Sequence, residues 1–436
     1  MGDVIVEGPQ IYGDGVNIAA RLQALADGGG ILISGTVYDQ VENKLVLGYE
    51  YLGEQLVKNI AKPVRVYRVV KPGVTAITHK GEVDAPLLPL PDKPSLVVLP
   101  FVNMSQDPEQ EYFSDGLTED ITTDLSKISS LFVISRNSAF TYKGKAMKVQ
   151  DISREMGVRY VLQGSVRRAN DRVRITAQLI EAMTDHHLWA ERYDRLLTDI
   201  FALQDEIRQK VVTALKVKLT PEEQAWFQHA PTNNLEAYDY YLRGLESFLR
   251  AQSETKKEAN AQARQMYDQA LELDPQYAAA YAGLGWSYWF DWFYQWNPDR
   301  AQSLEPAFEL TQRAITLDDA LSQAHALLGY IRLFKRQYEQ AIAEAERAVV
   351  LAPGDARGCA VLGVILAYAG RPEEGIGLIE KAVRLNPRYP VYLGNLGWVY
   401  RMVGRYEGAL TPLKKALALA PIFSLSALTW LPATLS

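Results

Sequence analysis

The sequence predicts a multidomain chain in which two α/β segments precede an all-α superhelix. Its 436 residues exceed what one domain usually holds. Prolines are concentrated between residues 71 and 94, where neither a helix nor a central strand can form. Beyond residue 235, prolines, glycines and alanines recur every 34 residues, which is typical of a helical repeat protein.

Composition limits the classes of function. The chain is 48% apolar and 22% charged, as globular proteins are, and its net charge of −6 argues against binding nucleic acid by phosphate neutralisation. One cysteine, Cys359, allows neither a disulfide framework nor a thiolate metal site, and we expect it in a helical core. Without a signal peptide or an apolar run of about 18 residues, we expect no membrane span and a cytoplasmic location.

The first segment contains a turn followed by a helix. Asp14 lies in a glycine-flanked turn and can cap a helix predicted over residues 16–26. Asn17 and Arg21 are four residues apart, so they share one face of that helix. An amide and a guanidinium on one face suit a phosphoryl group, although a capped amphipathic helix with a solvated arginine explains the spacing as well.

The residues of this stretch, 11–22, resemble the signature of class III adenylate/guanylate cyclases. Residues 2–8, 30–34, 35–41 and 53–67 resemble that family's flanking strand, next strand, helix and closing hairpin. The resemblance covers residues 1–70, the C-terminal part of the catalytic domain. It implies a homodimer that makes a cyclic nucleotide from ATP or GTP with Mg²⁺ or Mn²⁺.

The resemblance also implies residue roles. Asn17 would orient the ribose, Arg21 would neutralise the transferring phosphoryl group, and Lys58 would contact the terminal phosphates. Lys58 by itself is equally well an ordinary hairpin lysine. Gln10 would read the purine edge, but the family usually has an acidic or small polar residue there, so the base stays open.

The metal-binding half of the domain has no counterpart here. In the family, two metal-binding aspartates lie upstream of the strand that opens this chain, and no residue of this chain matches them or the purine-reading lysine. The chain is therefore expected to begin within the domain, to bind no metal by its own motifs and to be inactive alone.

The second segment, residues 95–220, follows a semi-rigid linker at 71–94. Its pattern predicts the order βαβαβββα, with strands at 95–101, 131–135, 159–166, 173–180 and 187–193. Helices are predicted at 114–128, 149–156 and 200–219. The segment resembles the TolB N-terminal-like domain of the FlgO type through residues 99–101, 113–117 and 162–166.

No nucleophile, base and acid set appears in this α/β segment. His186 and His187 are adjacent on a strand and face opposite sides, so we expect no metal site there. Four arginines cluster on the hairpin, and solvated strand edges explain them more simply than an anionic ligand does. They are Arg167, Arg168, Arg172 and Arg174.

The third segment, residues 236–436, carries the 34-residue period, most clearly in Pro353, Pro387 and Pro421. This pattern is that of tetratricopeptide repeats, and it predicts about five helix pairs starting near 237, 278, 322, 356 and 390. The resemblance implies a concave groove for a protein, a peptide or a neighbouring domain. Aromatic residues between 286 and 296 should pack between helices, with a partner anchor as the alternative.

Two functions remain open from the sequence. The first is a cytoplasmic signalling protein derived from a nucleotide cyclase, with the repeats as a sensor or scaffold. The second is a non-catalytic tetratricopeptide scaffold that carries an inactive cyclase remnant. A nucleic-acid-binding regulator lacks the basic footprint it would need.

Overall fold

The computed structural model divides into two compact units, residues 1–86 and 87–436. The structure describes residues 5–7, 10–12, 18–19, 22, 31–42, 44, 48–55, 63–70, 88–105, 107–226, 230–297, 299 and 301–420. Among the described residues, no helix is long and apolar enough to cross a membrane.

The first unit contains two small sheets. Strands β1 (Ile5–Glu7) and β2 (Gln10–Tyr12) form an antiparallel pair. The second sheet has the order β3-β5-β4, and helix α1 follows β3 directly. These elements are β3 (Leu32–Ser34), α1 (Gly35–Val41), β4 (Gly48–Gln55) and β5 (Val64–Val70).

Two local predictions for this unit are confirmed and one needs correction. Helix α1 has the predicted bounds, and Ser34 caps it by accepting a hydrogen bond from the Val37 amide. Of the predicted helix at 16–26, the structure describes residues 18, 19 and 22, all helical. The closing hairpin begins at Gly48 rather than 53, because a bulge between Tyr51 and Glu54 lets the strand continue across Gly53.

The second unit opens with an α/β domain built on one mixed sheet. The strand order is β11-β10-β9-β6-β8, with the short β7 beside β9. Strand β6 is parallel to β8 and β9, whereas β9, β10 and β11 are antiparallel. The strands are β6 (Ser95–Val98), β7 (Val102–Asn103), β8 (Phe132–Ile134), β9 (Tyr160–Ala169), β10 (Arg172–Glu181) and β11 (His186–Leu196).

Helices α2 and α5 belong to the same hydrophobic core as the central strands. Leu117 and Ile121 of α2, Val211 of α5 and Ile175 of β10 are at most 1% exposed within that core. The helices are α2 (Glu111–Ser126), α3 (Arg136–Ala139), α4 (Val149–Met156), α5 (Ile200–Ala214) and α6 (Pro221–Trp226).

The helix ends in this domain follow local chemistry. Helix α4 has the predicted bounds and stops at Gly157, whose φ of +62° is left-handed. Helix α2 begins at Glu111 rather than 114, because a 3-10 turn at Pro108–Gln110 leads into it. Helix α5 ends at Ala214 rather than 219, since Lys216 adopts a left-handed φ of +54°.

Within the described residues from 230 to 420, five helix pairs follow, with starts within two residues of prediction. The pairs are α7 (Leu235–Glu254) with α8 (Lys257–Leu273), α9 (Ala278–Phe293) with α10 (Ala301–Leu317), α11 (Ser322–Phe334) with α12 (Tyr338–Leu351), α13 (Ala356–Tyr368) with α14 (Pro372–Leu385), and α15 (Pro390–Met402) with α16 (Tyr406–Leu419).

Aromatic side chains from the second pair fill the space between helices, as predicted. Trp286 and Trp289 are 4% and 2% exposed, and the Trp289 ring stacks on Tyr330 of α11 at 5.3 Å. Cys359 is fully buried, and burial raises the pKa of its thiol to about 11. The burial of the two tryptophans and of Cys359 indicates that these side chains contribute to the packed core.

We expect limited proteolysis to give two stable pieces. The boundary between the two compact units, at residues 86 and 87, falls within the proline-rich stretch 71–94, whereas the α/β domain and the repeats form one compact unit. Early cuts should therefore fall within 71–94, and a cut between the α/β domain and the repeats should leave its two fragments associated. Mass spectrometry of the digest together with gel filtration checks this. Separation of a free repeat fragment would contradict it.

Candidate functional site

The predicted nucleotide-binding residues are only partly within the described structure. Gln10 lies on β2 and pairs through its backbone with Glu7. Asn17, Arg21 and Lys58 lie outside the described residues. Whether these four side chains meet is therefore untested, and the assignment of this nucleotide site stays a prediction.

The described residues instead place their most extensive polar contacts between the α/β domain and the repeats. Helix α2 packs along α7, the first helix of the first pair. Gly116 permits this approach, because a Cβ on it would stand 2.6 Å from Leu242 Cδ2. Leu242 of α7 shares a hydrophobic core with Leu117 of α2, and Ala356 and Cys359 of α13 share a second one with Phe132 of β8, so the α/β domain covers part of the repeat surface.

A cluster of charged and aromatic side chains connects helix α7 of the first repeat with helix α2 and strand β9 of the α/β domain. Asp239 of α7 accepts hydrogen bonds from the Tyr112 hydroxyl at 2.6 Å and from Arg168 Nη1 at 2.7 Å. Burial alone would raise the pKa of Asp239, but these two hydrogen bonds hold it below its usual value. The Arg243 guanidinium lies over the Tyr112 ring at 4.7 Å and completes the cluster.

A second polar cluster joins the fourth repeat to the other end of the domain. Arg384 donates to the carbonyl oxygens of Met156, Gly157 and Pro89 at 2.7–3.0 Å. The Ser138 hydroxyl donates to Asn386 Oδ1 at 2.6 Å. Because Arg384 satisfies three backbone acceptors at once, its loss would leave the part-buried carbonyls of Met156 and Gly157 without this donor.

A cavity of about 500 Å³ is lined by residues of both the α/β domain and the repeats. Helices α2 and α5 of the α/β domain, helices α7 and α9, and the turns before α11 and α13 line it. Its walls combine tyrosine and tryptophan rings with carboxylates and guanidinium groups. A space of this size at a domain interface has the character of a small-molecule site.

Asp120 is the carboxylate most perturbed by this environment. Burial raises its pKa to about 7, although hydrogen bonds from Tyr238 and Gln204 act in the opposite direction. Both of these donors reach the same oxygen, Oδ2. Neighbouring Glu119 also has its pKa raised by burial, and Arg136 opposes this from 3.4 Å.

The arginines that line the cavity differ in their partners. Arg208 pairs with Asp124 and Asp205, so its charge is compensated. Arg357 lies over the Trp286 ring at 5.0 Å. Among the residues that the structure describes, the Arg357 guanidinium has no hydrogen-bond acceptor, although Asp355 accepts from its backbone amide at 3.0 Å.

The remaining residues considered from the sequence lie at the surface or in the interface. His186 and His187 are both exposed, and no group of three or more His, Cys, Asp or Glu in the described part of the chain could hold a metal. Arg167, Arg172 and Arg174 are exposed, whereas Arg168 joins the interface. The prediction that these arginines lie at solvated strand edges is thus confirmed for three of the four.

Sequence reasoning missed Asp120, Tyr277 and Arg357 as members of one cavity. They lie on α2, before α9 and on α13, and no local spacing connects them. The one available signal is indirect. Tyr277 and Arg357 lie at helix starts and Asp120 lies within α2, and polar residues at such positions are too common to single out a site.

Family models match two parts of the chain. The HilA/YgeH-like transcriptional regulator, second domain, matches residues 92–210. This is a different family model from the TolB N-terminal-like domain that the motifs resemble. Tetratricopeptide repeat models match residues 322–355 and 378–411, which confirms the predicted repeats.

A protein of Rhizobium meliloti (strain 1021) named Putative adenylate cyclase 3 is 46% identical to this chain over 341 residues. The match covers 78% of this chain and 57% of that protein. Since it omits less than a quarter of this chain, it includes residues of both the α/β domain and the repeats. The chain spans a little over half the length of that relative.

Two solved structures show weak similarity. A thermophilic tetratricopeptide protein of Thermus thermophilus, TTC0263, has 19% identity and a TM-score of 0.35, covering 43% of this chain and 92% of its own. PilF of Pseudomonas aeruginosa has 20% identity and a TM-score of 0.33, covering 45% of this chain and 87% of its own. The repeat assignment rests on the family models.

Proposed function

We propose that this chain acts in cyclic nucleotide signalling as part of an adenylate-cyclase-type protein. The observation that carries this proposal is the 46% identity over 341 residues with the Rhizobium meliloti protein named as an adenylate cyclase. The resemblance of residues 11–22 to the cyclase signature also supports it. ATP is the proposed substrate, with GTP left open by Gln10.

In the proposed reaction, the ribose 3′-oxygen attacks the α-phosphorus, the bond to the β-phosphate oxygen breaks, and pyrophosphate leaves. Arg21 would stabilise charge that develops on the phosphoryl oxygens, and Asn17 would hold the ribose in line. Lys58 would neutralise the terminal phosphates. These contacts act on charge and position, which dominate phosphoryl-transfer catalysis.

The family's Mg²⁺ or Mn²⁺ ions have no matched ligands here. No residue of this chain corresponds by motif to the two metal-binding aspartates, and the described residues hold no metal-ligating group. We therefore assign this chain the transition-state residues only. In the proposed homodimer, activity requires the metal-binding half of the domain.

The repeats point to a protein or peptide partner, and this observation favours a scaffold as the second candidate function. Tetratricopeptide models match residues 322–355 and 378–411, and helical repeats of this kind present extended binding surfaces. Part of the surface already binds the chain's own α/β domain. A partner in the predicted groove would therefore compete with that domain or bind beside it.

We expect the purified 436-residue chain to form no cyclic AMP from ATP with Mn²⁺. Without a metal-ligand pair, the charge of the triphosphate is not compensated. The same chain joined to the metal-binding half of a class III cyclase domain should form cyclic AMP. Product from the chain alone would contradict the metal argument. A joined protein that folds and binds ATP but makes no product would favour the scaffold.

A further inference from the structure

The interdomain cavity contains polar groups that the protein itself leaves unsatisfied. Tyr277 is 1% exposed and lines the cavity, yet its hydroxyl has no hydrogen-bond partner among the described residues. Buried phenol groups are normally hydrogen-bonded, so an unpaired one indicates a missing acceptor or donor. Burial, then the neighbouring Tyr241 and the charge of Asp120, raise the pKa of Tyr277. Tyr277 and Asp120 both line the cavity, and the Tyr277 ring centroid lies 5.0 Å from that of Tyr241, another lining residue.

One carboxylate oxygen of Asp120 accepts no hydrogen bond from the described residues. Tyr238 and Gln204 both donate to Oδ2, and no described group donates to Oδ1. A desolvated carboxylate whose second oxygen accepts no hydrogen bond from a described residue, in a cavity that the phenol rings of Tyr241 and Tyr277 also line, is a favourable place for an ammonium group. The ammonium group would compensate the charge of the Asp120 carboxylate, which burial has removed from solvent.

Arg357 on helix α13 supplies the positive charge that would bind a ligand's carboxylate. The Arg357 guanidinium lines the same cavity over Trp286 and has no acceptor among the described residues. Burial, Asp120 and Glu119 raise the pKa of Tyr241, whereas Arg357 lowers it. Asp120, Tyr241 and Arg357 all line this one cavity of about 500 Å³, so one small molecule in it can meet both charges. A planar guanidinium binds a carboxylate through two parallel hydrogen bonds.

We propose that this cavity binds a free amino acid, with the ammonium group on Asp120 and Tyr277 and the carboxylate on Arg357. An amine alone would leave Arg357 without an acceptor, and an anion alone would meet the carboxylates of Asp120 and Glu119. A zwitterion satisfies both ends at once. Because both domains line the cavity, the bound ligand would also hold the α/β domain against the repeats.

The test is thermal melting and calorimetric titration of the full chain with each of the common L-amino acids. We expect at least one of them to raise the melting temperature by about 3 °C at saturation. The corresponding amine without the carboxylate group, such as agmatine for L-arginine or tyramine for L-tyrosine, should bind at least about tenfold more weakly than the amino acid. This is the affinity expected to be lost with one charged hydrogen bond. No binding by any amino acid, or equal binding of the amine, would overturn the proposal.

Variants separate the two ends of the ligand. Arg357→Gln should weaken amino-acid binding at least about tenfold and remove the preference over the amine. Arg401→Gln is the matched control, because Arg401 is exposed on α15 and outside the cavity. The control should bind as the parent does. Unchanged binding by Arg357→Gln would overturn the assignment of the carboxylate.

Asp120→Asn should also weaken binding, but it could disturb folding because Asp120 accepts hydrogen bonds from Tyr238 and Gln204. Tyr277→Phe avoids that problem, since the hydroxyl that it removes has no partner among the described residues. This variant should melt at or above the parent temperature without ligand and bind the amino acid more weakly. A folded Tyr277→Phe protein with parental affinity would contradict the assignment of the ammonium end.

Discussion

Arg21→Ala should lower turnover by on the order of 10²-fold or more in a cyclase completed with the metal-binding half. The arginine is proposed to contact the phosphoryl group most strongly in the transition state, so the substrate KM should change little. Steady-state kinetics of cyclic AMP formation measures both constants. This prediction follows from the motif at residues 11–22 and from the proposed function.

Asn17→Ala should cost a similar order of turnover, because the amide is proposed to hold the attacking ribose. If both residues act on one transition state, the double variant should lose less than the product of the single losses. Arg65→Ala is the control, since Arg65 makes an exposed ion pair with Asp39 in the same unit. Near-parental turnover of Arg21→Ala would leave Arg21 as a solvated helix residue.

Gly375→Ala should destabilise the repeat region by roughly 1–3 kcal/mol. A Cβ at this position would stand 2.4 Å from the backbone oxygen of Gly363 on the neighbouring helix α13. Backbone cannot rotate away as a flexible side chain can, so α13 and α14 would have to separate. Calorimetry of the full chain should show a lower melting temperature for the second unit.

Gly377→Ala provides the matched control on the same helix. Gly377 is exposed, and a Cβ there would meet no atom within 4 Å. Alanine favours a helix over glycine by about 0.5–1 kcal/mol, so this variant should melt slightly above the parent. Equal effects of the two substitutions would show that close helix approach at Gly375 is not what limits stability.

The repeat architecture could be predicted because its signals are local. The 34-residue period placed the helix starts at 322, 356 and 390, and counting back across a longer repeat placed the start at 278, where the structure has them. Each repeat contacts mainly its neighbours, so a pattern within one repeat describes the whole array. The first pair begins at Leu235, two residues before the predicted start, which is within the usual uncertainty of helix ends.

Helix ends in the α/β domain were predicted less well. Gly157 was recognised as the end of α4, because glycine adopts the left-handed conformation without strain. The start of α2 was missed, since Asp107 caps a 3-10 turn that extends the helix at its beginning. Lys216 takes a left-handed conformation that its residue type does not announce.

The sequence by itself predicted about five helix pairs, the main strands and helices of the α/β domain without β7, α3 and α6, and the residues that a cyclase signature would use. Only the tertiary structure decided that the α/β domain covers part of the repeats and encloses a cavity. Arg168 meets Asp239 and Arg384 meets Gly157 across 71 and 227 residues of chain. Such contacts depend on how two separately patterned surfaces fit together, and hydrophobic period and helix caps describe each surface only by itself.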